Sequence, residues 1–275
     1  MAQISKKVLI SFLCSVFLVA VGRGQDLAKG LDAFTKKDYD AALRDLLPLA
    51  KQGSPKAEFT VGLMYDLGEG VPQNFDEALK WWLLAAEHGD SEAQITCGIF
   101  YYESAKDYKE AMRWYRRAAE RGGSWPQLQV GQMFYRGEGV AQDHTEALKW
   151  FRLAAVQGDS TAQFNVGLMY EKGDSVPQNF DEALKWLSLA AEQGNTKGQL
   201  NLGFMYFSGE GVPQNYVLAH KWFNLAAVGG DKDAVRARDD ISAAMTPGQI
   251  AEAQRLASEW KPKTAAGQET RLPRP

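Results

Sequence analysis

Ser258 and Lys261 form a Ser-x-x-Lys pattern, which acyl-transferring serine hydrolases use to place a nucleophilic hydroxyl close to a lysine. Lys263 and Thr264 follow closely. The pattern lies at the end of a predicted helix, where the negative end of the helix dipole disfavours a developing oxyanion. No Ser-Asp-Asn motif accompanies it in the sequence. We therefore interpret the pattern as coincidental, and the sequence predicts no catalytic residue.

Histidine and cysteine offer little for metal binding or nucleophilic catalysis. His88, His144 and His220 fall at three different positions of an internal repeat, so they do not predict a shared metal site. Cys97 occupies a position that valine or leucine holds in the other repeats, which predicts a buried core thiol. We expect no metal and no cofactor.

The charge of the chain disfavours two classes of partner. The sequence carries 31 basic and 34 acidic side chains. Removal of residues 1–24 would take away Lys6, Lys7 and Arg23 and no acidic residue, leaving 28 basic against 34 acidic side chains and a net charge of −6. Such a surface does not favour nucleic acid or anionic lipid.

The N-terminus has the pattern of a secretory signal. Lys6 and Lys7 precede an unbroken apolar stretch at residues 8–21, and residues 22–24 supply small side chains for cleavage. The apolar stretch is shorter than the roughly 20 residues that a spanning helix needs, although an uncleaved anchor is the alternative. We expect export to the periplasm or the exterior, with no membrane span after cleavage.

One internal repeat runs through most of the chain, with spacings of 36 or 33 residues. Its glycine column comprises Gly62, Gly98, Gly131, Gly167 and Gly203. Its alanine column comprises Ala78, Ala111, Ala147, Ala183 and Ala219. Its tryptophan column comprises Trp81, Trp114, Trp150, Trp186 and Trp222. A period of this length is typical of stacked helical units, so shared columns are interpreted as core.

Each repeat predicts two helices separated by a turn. Gly158-Asp159 has the residue types of a helix stop followed by a helix start. A Gly-rich turn at residues 173–179 leads to the second helix, where Asn179 and Glu182 have a capping-box spacing that four of the five repeats share. A glycine inside a helix costs about 1 kcal/mol relative to alanine. We expect close packing of the glycine column against the alanines to offset this cost.

The residue patterns of the repeat resemble those of a known family. The patterns Leu-Gly-x-Met-Tyr, Gly-x-Gly-Val-Pro-Gln-Asn, Glu-Ala-x-Lys-Trp and Ala-Ala-x-x-Gly are similar to those of Sel-one-like repeats (SLR), a branch of the tetratricopeptide-type solenoids. The resemblance covers about residues 54–231. It implies an all-α, right-handed solenoid of antiparallel helix pairs. Proteins of this kind act as adaptors, as regulators of membrane sensors, as assembly factors for envelope complexes or as secreted effectors.

Some members of that family are described as cysteine-rich, penicillin-binding or weak β-lactamase proteins. This chain departs from that pattern because the paired cysteines are absent: Cys97 is the only cysteine after the predicted signal. The predicted organisation is a signal at 1–24, an N-terminal capping helix pair at 25–53, five repeats at 54–231, C-terminal capping helices at 232–262 and a disordered tail at 263–275.

Function is sought where the repeats differ, since shared columns are read as architecture. Varying polar and aromatic positions on the first helices predict a groove for a protein or peptide partner, with an ordinary solvated face as the alternative. The predicted partner-binding residues are Thr96, Tyr102, Trp125, Gln129, Gln132, Tyr135, Arg136, Asn165, Glu171, Lys172, Asn201 and Phe207. Trp125 either anchors the partner or packs over the shortened turn of the preceding repeat.

The sequence therefore predicts an exported, non-enzymatic scaffold that binds a protein or peptide in the cell envelope. Two alternatives stay open at this point. One is an envelope hydrolase of the β-lactamase-like type, which would use Ser258. The other is a binder of cell-wall glycan, for which Trp125 and the tyrosines would matter most.

Overall fold

The computed structural model describes residue 24 and residues 26–263, and within these residues every regular element is helical. This confirms the predicted all-α class. The predicted signal at 1–24, apart from residue 24, and the predicted disordered tail, apart from residue 263, lie outside the described residues. No helix of the described part is both long enough and apolar enough to cross a bilayer.

The chain divides into two compact units that meet between Ala118 and Ala119. The first unit contains α1 (26–35), α2 (Tyr39–Lys51), α3 (Pro55–Leu67), α4 (Phe75–Glu87), α5 (Ser91–Ile99), a π-helix (Phe100–Ser104) and most of α6 (Tyr108–Ala119). The second contains α7 (Ser124–Arg136), α8 (His144–Val156), α9 (Ser160–Lys172), α10 (Phe180–Glu192), α11 (Thr196–Ser208), α12 (Tyr216–Val228), α13 (Lys232–Ser242) and α14 (Pro247–Ser258). Consecutive helices pack in pairs.

The turn inside each long repeat is held by three local devices, shown here for the fourth repeat. Gly173 ends α9 in the left-handed region with φ 69°, which a glycine adopts without strain. Gln178 Nε2 donates to the carbonyl of Glu171 at 2.8 Å. Asn179 Oδ1 accepts from the backbone N–H of Glu182 at 3.0 Å and so caps α10. The Pro-Gln-Asn wording is therefore explained by helix capping.

The predicted capping boxes form only in part. Asn74 caps α4 as expected, but Glu77 does not return to the backbone of Asn74 and instead accepts from Lys80 Nζ at 2.6 Å. The lysine one turn later attracts the carboxylate more strongly than a neutral N–H does. A reciprocal box forms at Thr246 and Gln249, as the sequence of α14 predicts.

The glycine column packs against the alanine-bearing helix as expected, and large side chains of that helix also contact it. A Cβ placed on Gly131 would lie 2.6 Å from Cδ1 of Phe151, and the carbonyl of Ala147 would be 3.3 Å away. The residue after each tryptophan position thus packs a large side chain against the glycine. The five side chains that do so are Trp82, Tyr115, Phe151, Leu187 and Phe223.

The tryptophan column belongs to the core, although not evenly. Trp114, Trp186 and Trp222 are buried, whereas Trp81 and Trp150 are half-buried. Trp186 packs in the same cluster as the aliphatic core of α8 and α9. The prediction that this column is mainly architectural is confirmed.

The second repeat replaces the Gly-rich turn by a π-helix, which the sequence did not predict. The stretch Phe100–Ser104 widens the end of α5, and Lys106 then takes a φ of 55°. Asp107 N donates to the carbonyl of Tyr101 at 2.9 Å and restores the register of α6. The widened turn closes the gap left by the three missing residues.

A column of buried glutamines links each repeat to the one before it, and it also escaped sequence analysis. Gln163 is fully buried, and its Nε2 donates to the carbonyl of Ala155 at 3.1 Å. Its Oε1 accepts from Gln193 Nε2 at 2.7 Å. The same bond to an alanine carbonyl is made by Gln94, Gln127 and Gln199. In the first repeat the position is Glu58, which pairs with His88 Nδ1 at 2.8 Å.

Cys97 is buried against α4 and α6, as predicted, and we expect it to resist alkylation. Burial raises the pKa of its thiol to about 12, so almost no thiolate exists at pH 8. Iodoacetamide should modify the native chain far more slowly than the chain in guanidinium. Mass spectrometry measures the labelling rate in each state. Equal rates for the native chain and the chain in guanidinium would contradict the burial of Cys97.

Candidate functional site

A groove of about 500 Å³ opens between the first helices of three successive repeats in the second unit. It contains four of the predicted residues, Gln132, Tyr135, Arg136 and Asn165. We call this cavity the central groove. The remaining residues that line it are Phe151, Thr161, Phe164, Leu168, Met169, Asn195, Thr196 and Lys197. The combination of aromatic walls with amides and hydroxyls is typical of a binding cleft.

The central groove exposes an amide without a partner. Asn165 lies half-buried in the groove and makes no hydrogen bond with another described residue. Asn201 occupies the same repeat position on α11 and is also without a hydrogen bond in the described chain. The equivalent hydroxyl of Thr96 instead donates to the carbonyl of Glu92 in its own helix at 2.9 Å. Only the later repeats thus keep donors and acceptors ready for a ligand.

The charge of the central groove is positive. Lys197 and Arg136 line it, and none of its lining residues is a carboxylate. Arg136 lies 3.8 Å from Glu138, a distance at which the ion pair is weak. Lys197 forms no ion pair with a described residue. This is a local reversal of sign in an acidic chain.

A second cavity, which we call the acidic pocket, shares Leu168 with the central groove. It has a volume of about 480 Å³ and contains the predicted residues Glu171, Lys172 and Asn201. Its other lining residues are Gln178, Phe180 and Glu210. Burial, and secondarily the charge of Glu210, raises the pKa of Glu171 above its ordinary value. One oxygen of Glu171 is shielded from solvent and lacks a hydrogen-bond partner in the described chain.

We expect Glu171→Gln to stabilise the protein at pH 7.5 and to lose this advantage at low pH. A carboxylate whose pKa is raised by folding stabilises the fold only when protonated, and that contribution is lost as the pH rises through the raised pKa. The neutral amide avoids the penalty at all pH values. Thermal unfolding of both proteins at pH 7.5 and 4.0 tests this, and a difference in melting temperature that grows on acidification would contradict it.

A third cavity of about 470 Å³, the apolar pocket, lies between α11, α12 and α13. It contains the predicted residue Phe207, whose ring stacks on Tyr216 with centroids 5.8 Å apart. Phe204 and Phe207 are both about two-fifths exposed, at 41% and 42%. These exposed rings provide apolar surface that a partner could contact.

The remaining predicted site residues are placed elsewhere. Thr96 and Tyr102 belong to the first unit, and the ring of Tyr102 packs on Tyr108 with centroids 5.1 Å apart. Trp125 and Gln129 lie on α7, where Trp125 is 40% exposed and Gln129 is half-buried. Neither lines the central groove.

Sequence analysis missed Lys197, Thr161 and Glu210. Lys197 and Thr161 share one repeat position with Trp125, and that position holds four different residue types in the five repeats. The variation of residue type at this position could have identified Thr161 and Lys197 as candidates. Glu210 lies in the Gly-rich turn at residues 209–215, and only the three-dimensional arrangement places it beside Glu171.

The groups considered for chemistry have structural partners. Ser258 is exposed, and its hydroxyl donates to the carbonyl of Arg255 at 2.8 Å in the same helix. His144 Nδ1 lies 2.7 Å from Asp174, and its ring stacks on Tyr135 at 4.3 Å. Among residues 26–263 no three His, Cys, Asp or Glu side chains come together as a potential metal site.

Paired helices in tandem, with a groove lined by the first helices of three successive pairs in the second unit, define a helical repeat protein of the interaction-scaffold class. The family model for the Sel1 repeat matches residues 55–90, 91–123, 127–159, 160–195 and 196–231. The chain belongs to the Sel1 repeat family, as the sequence patterns indicated. Sel1 repeats generally form non-catalytic scaffolds that mediate protein–protein interaction.

Two solved structures are similar to the chain. One is a protective antigen of uropathogenic Escherichia coli strains with an SLR fold, at 28% identity and a TM-score of 0.74, covering 90% of this chain and 55% of that protein. The chain thus spans about half the length of that antigen. The other is a Sel1 repeat protein from Oxalobacter formigenes, at 29% identity and a TM-score of 0.73, covering 86% of this chain and 100% of that one. No curated protein matches the chain.

Proposed function

We propose that the protein is an exported, non-enzymatic scaffold whose central groove, together with the adjoining acidic pocket, binds an extended segment of a partner protein in the cell envelope. The observation that carries this proposal is the pair of open amides, Asn165 and Asn201, at equivalent positions on α9 and α11. An amide side chain donates and accepts together, as a peptide group does. Two of them in adjacent repeats match the backbone of an extended ligand.

The walls of the groove support a peptide over a small polar ligand. Phe164 and Leu168 provide apolar surface beside Asn165, and Tyr135 lies at the rim. Such a mixture binds side chains through burial while the amide aligns the backbone. The volume of about 500 Å³ accommodates a few residues rather than a folded domain.

Export is the second part of the proposal, and it is supported by the Lys6-Lys7 and apolar pattern of residues 1–24. A tagged full-length chain, expressed in a bacterium and recovered from the periplasmic fraction, should begin at Gln25. N-terminal mass spectrometry measures this. A chain that stays in the cytoplasm with its first 24 residues intact would contradict export.

The binding proposal is tested by affinity capture from an envelope extract of the native host. The double variant Asn165→Ala, Asn201→Ala should retain at least tenfold less partner than the wild type. Thr145→Ala, Gln254→Ala is the matched control, since both residues are exposed on helices outside the groove. Quantitative mass spectrometry compares the three baits.

Two results would contradict the proposal. Equal retention by the groove variant and the control would exclude the central groove as the binding site. Retention of no partner by the wild type would exclude a stable scaffold function. Thermal unfolding of each bait shows that loss of binding does not arise from loss of fold.

A further inference from the structure

We propose that the groove of the second unit selects its ligand by two opposite charges, with an acidic side chain of the partner at Lys197 and a basic side chain between Glu171 and Glu210. This inference rests on the proposed peptide-binding function and specifies the chemistry of the partner. Both ends lie along α9 and α11, within one compact unit.

The basic end lacks a counterion of its own. Lys197 has no ion-pair partner in the described chain, and no carboxylate lines the central groove around it. The first turn of α11 lies at the same place, so the positive end of the helix dipole adds to the field. Thr161 and Thr196 supply hydroxyl donors nearby. A carboxylate of the ligand would complete this set of donors.

The acidic pocket has fewer cations than carboxylates. It holds Glu171 and Glu210 against the single cation Lys172. At two other turns the residue that corresponds to Glu210 pairs with the first residue of the preceding second helix. Tyr39 donates to Glu69 at 2.6 Å in this way.

For Glu210 the corresponding residue is Phe180, which has no polar atom. His144 and Asp174, 2.7 Å apart, show the same arrangement with a partner present. The substitution by phenylalanine therefore leaves Glu210 without its usual donor and offers a ring face instead. A guanidinium or ammonium group can pair with carboxylates and lie on an aromatic ring at once.

The distance between the two ends sets the spacing of the charges in the ligand. Lys197 has the repeat position of Thr161, which lies ten positions before Glu171 on α9. Ten helical positions correspond to roughly 15 Å at 1.5 Å per residue. An extended peptide covers this in about four to five residues at 3.3 Å each. The ligand should therefore carry an acidic and a basic residue at that separation.

A phage library of random dodecapeptides, panned on the mature chain, tests the inference. We expect enriched peptides to carry an acidic and a basic residue about four to five positions apart. On Glu171→Gln, Glu210→Gln the preference for the basic residue should fall to the library background while the acidic preference persists. On Lys197→Gln the reverse should occur. Glu252→Gln, which removes an exposed carboxylate on α14 outside both cavities, is the matched control.

Synthetic peptides taken from the enriched set then give a quantitative measure by isothermal titration. Neutralising either charged residue should weaken binding about tenfold, and added salt should weaken the charged peptide more than its neutral form. Enriched peptides without the charge pair, enrichment that the variants do not alter, or no enrichment would overturn the inference. If peptides are enriched without the charge pair, or if the charge variants do not alter the enrichment, binding that still requires Asn165 and Asn201 would support the peptide-binding function alone.

Discussion

Replacing Gly131 with alanine is expected to lower the melting temperature of the protein by several degrees. Helix propensity alone predicts the opposite sign, since alanine is favoured over glycine by about 1 kcal/mol inside a helix. The added Cβ would lie 2.6 and 2.7 Å from two ring carbons of Phe151, which is itself buried in the core of the second unit. Overpacking of this kind costs about 1–3 kcal/mol, so the steric effect should exceed the gain in propensity.

Gly248→Ala provides the matched control for Gly131→Ala. Gly248 also lies in a helix, α14, and a Cβ added there would meet no atom within 4 Å. We expect this variant to unfold at the wild-type temperature or slightly above it. A Gly131→Leu variant should be less stable than Gly131→Ala because more atoms must enter the same space. Unfolding followed by circular dichroism measures all three, and a stable Gly131→Leu chain would refute the packing role of the glycine column.

Gln163→Ala is expected to destabilise the protein by about 2–4 kcal/mol. The side chain of Gln163 is fully buried, and its loss removes two hydrogen bonds, to the carbonyl of Ala155 and from Gln193. The carbonyl of Ala155 keeps a hydrogen bond from the backbone N–H of Gly158 at 3.0 Å, so the cost comes from the two lost side-chain bonds, at about 0.5–1.5 kcal/mol each, together with the cavity that the truncation leaves. Chemical denaturation of the variant gives the free energy of unfolding directly.

Gln199→Ala separates the two contributions. Gln199 is buried in the same repeat position and donates to the carbonyl of Ala191 at 3.2 Å. The residue that corresponds to Gln193 is Gly229, so its oxygen receives no second bond from that position. We expect Gln199→Ala to cost less than Gln163→Ala. An equal loss from the two substitutions would show that the amide–amide bond contributes nothing to stability.

Much of the fold could be predicted because the repeat shows itself in residue types with strong local preferences. Asp159 after Gly158 predicts the boundary between α8 and α9, and the structure places the cap there, with Asp159 accepting from Ala162 N at 2.8 Å. The apolar positions of the repeat likewise predict that Cys97 is buried. These inferences need only one helix at a time and the rule that repeated columns face inward.

The predictions from the sequence failed where a side chain has more than one possible hydrogen-bond partner and the fold decides between them. Glu77 has the right spacing for a capping box, but Lys80 competes for the same carboxylate. The glutamine column was missed because a polar residue such as Gln163 is usually assigned to the surface, and only the fold brings the carbonyl of Ala155 to it. The π-helix at Phe100–Ser104 has no local sequence signature in this chain.

The residues of the candidate site also divide into those that the sequence predicts and those that depend on the fold. Column variation identified Asn165, Glu171 and Asn201, and the structure places all three in two cavities that share one wall. The role of Lys197 depends on the absence of carboxylates around it, which is a property of three helices together. Such a property cannot be read from one column of the repeat.

The glutamine hydrogen bonds make the repeat a unit that can be duplicated within the chain. Gln127 and Gln163 lie 36 residues apart, and each carries its own bond to the preceding alanine carbonyl and to the glutamine 30 residues later. A gene in which the codons for residues 127–162 are duplicated would therefore encode a chain with every junction bond intact. The added segment would bring a further copy of the groove face, so that the length of ligand covered could be increased by insertion alone.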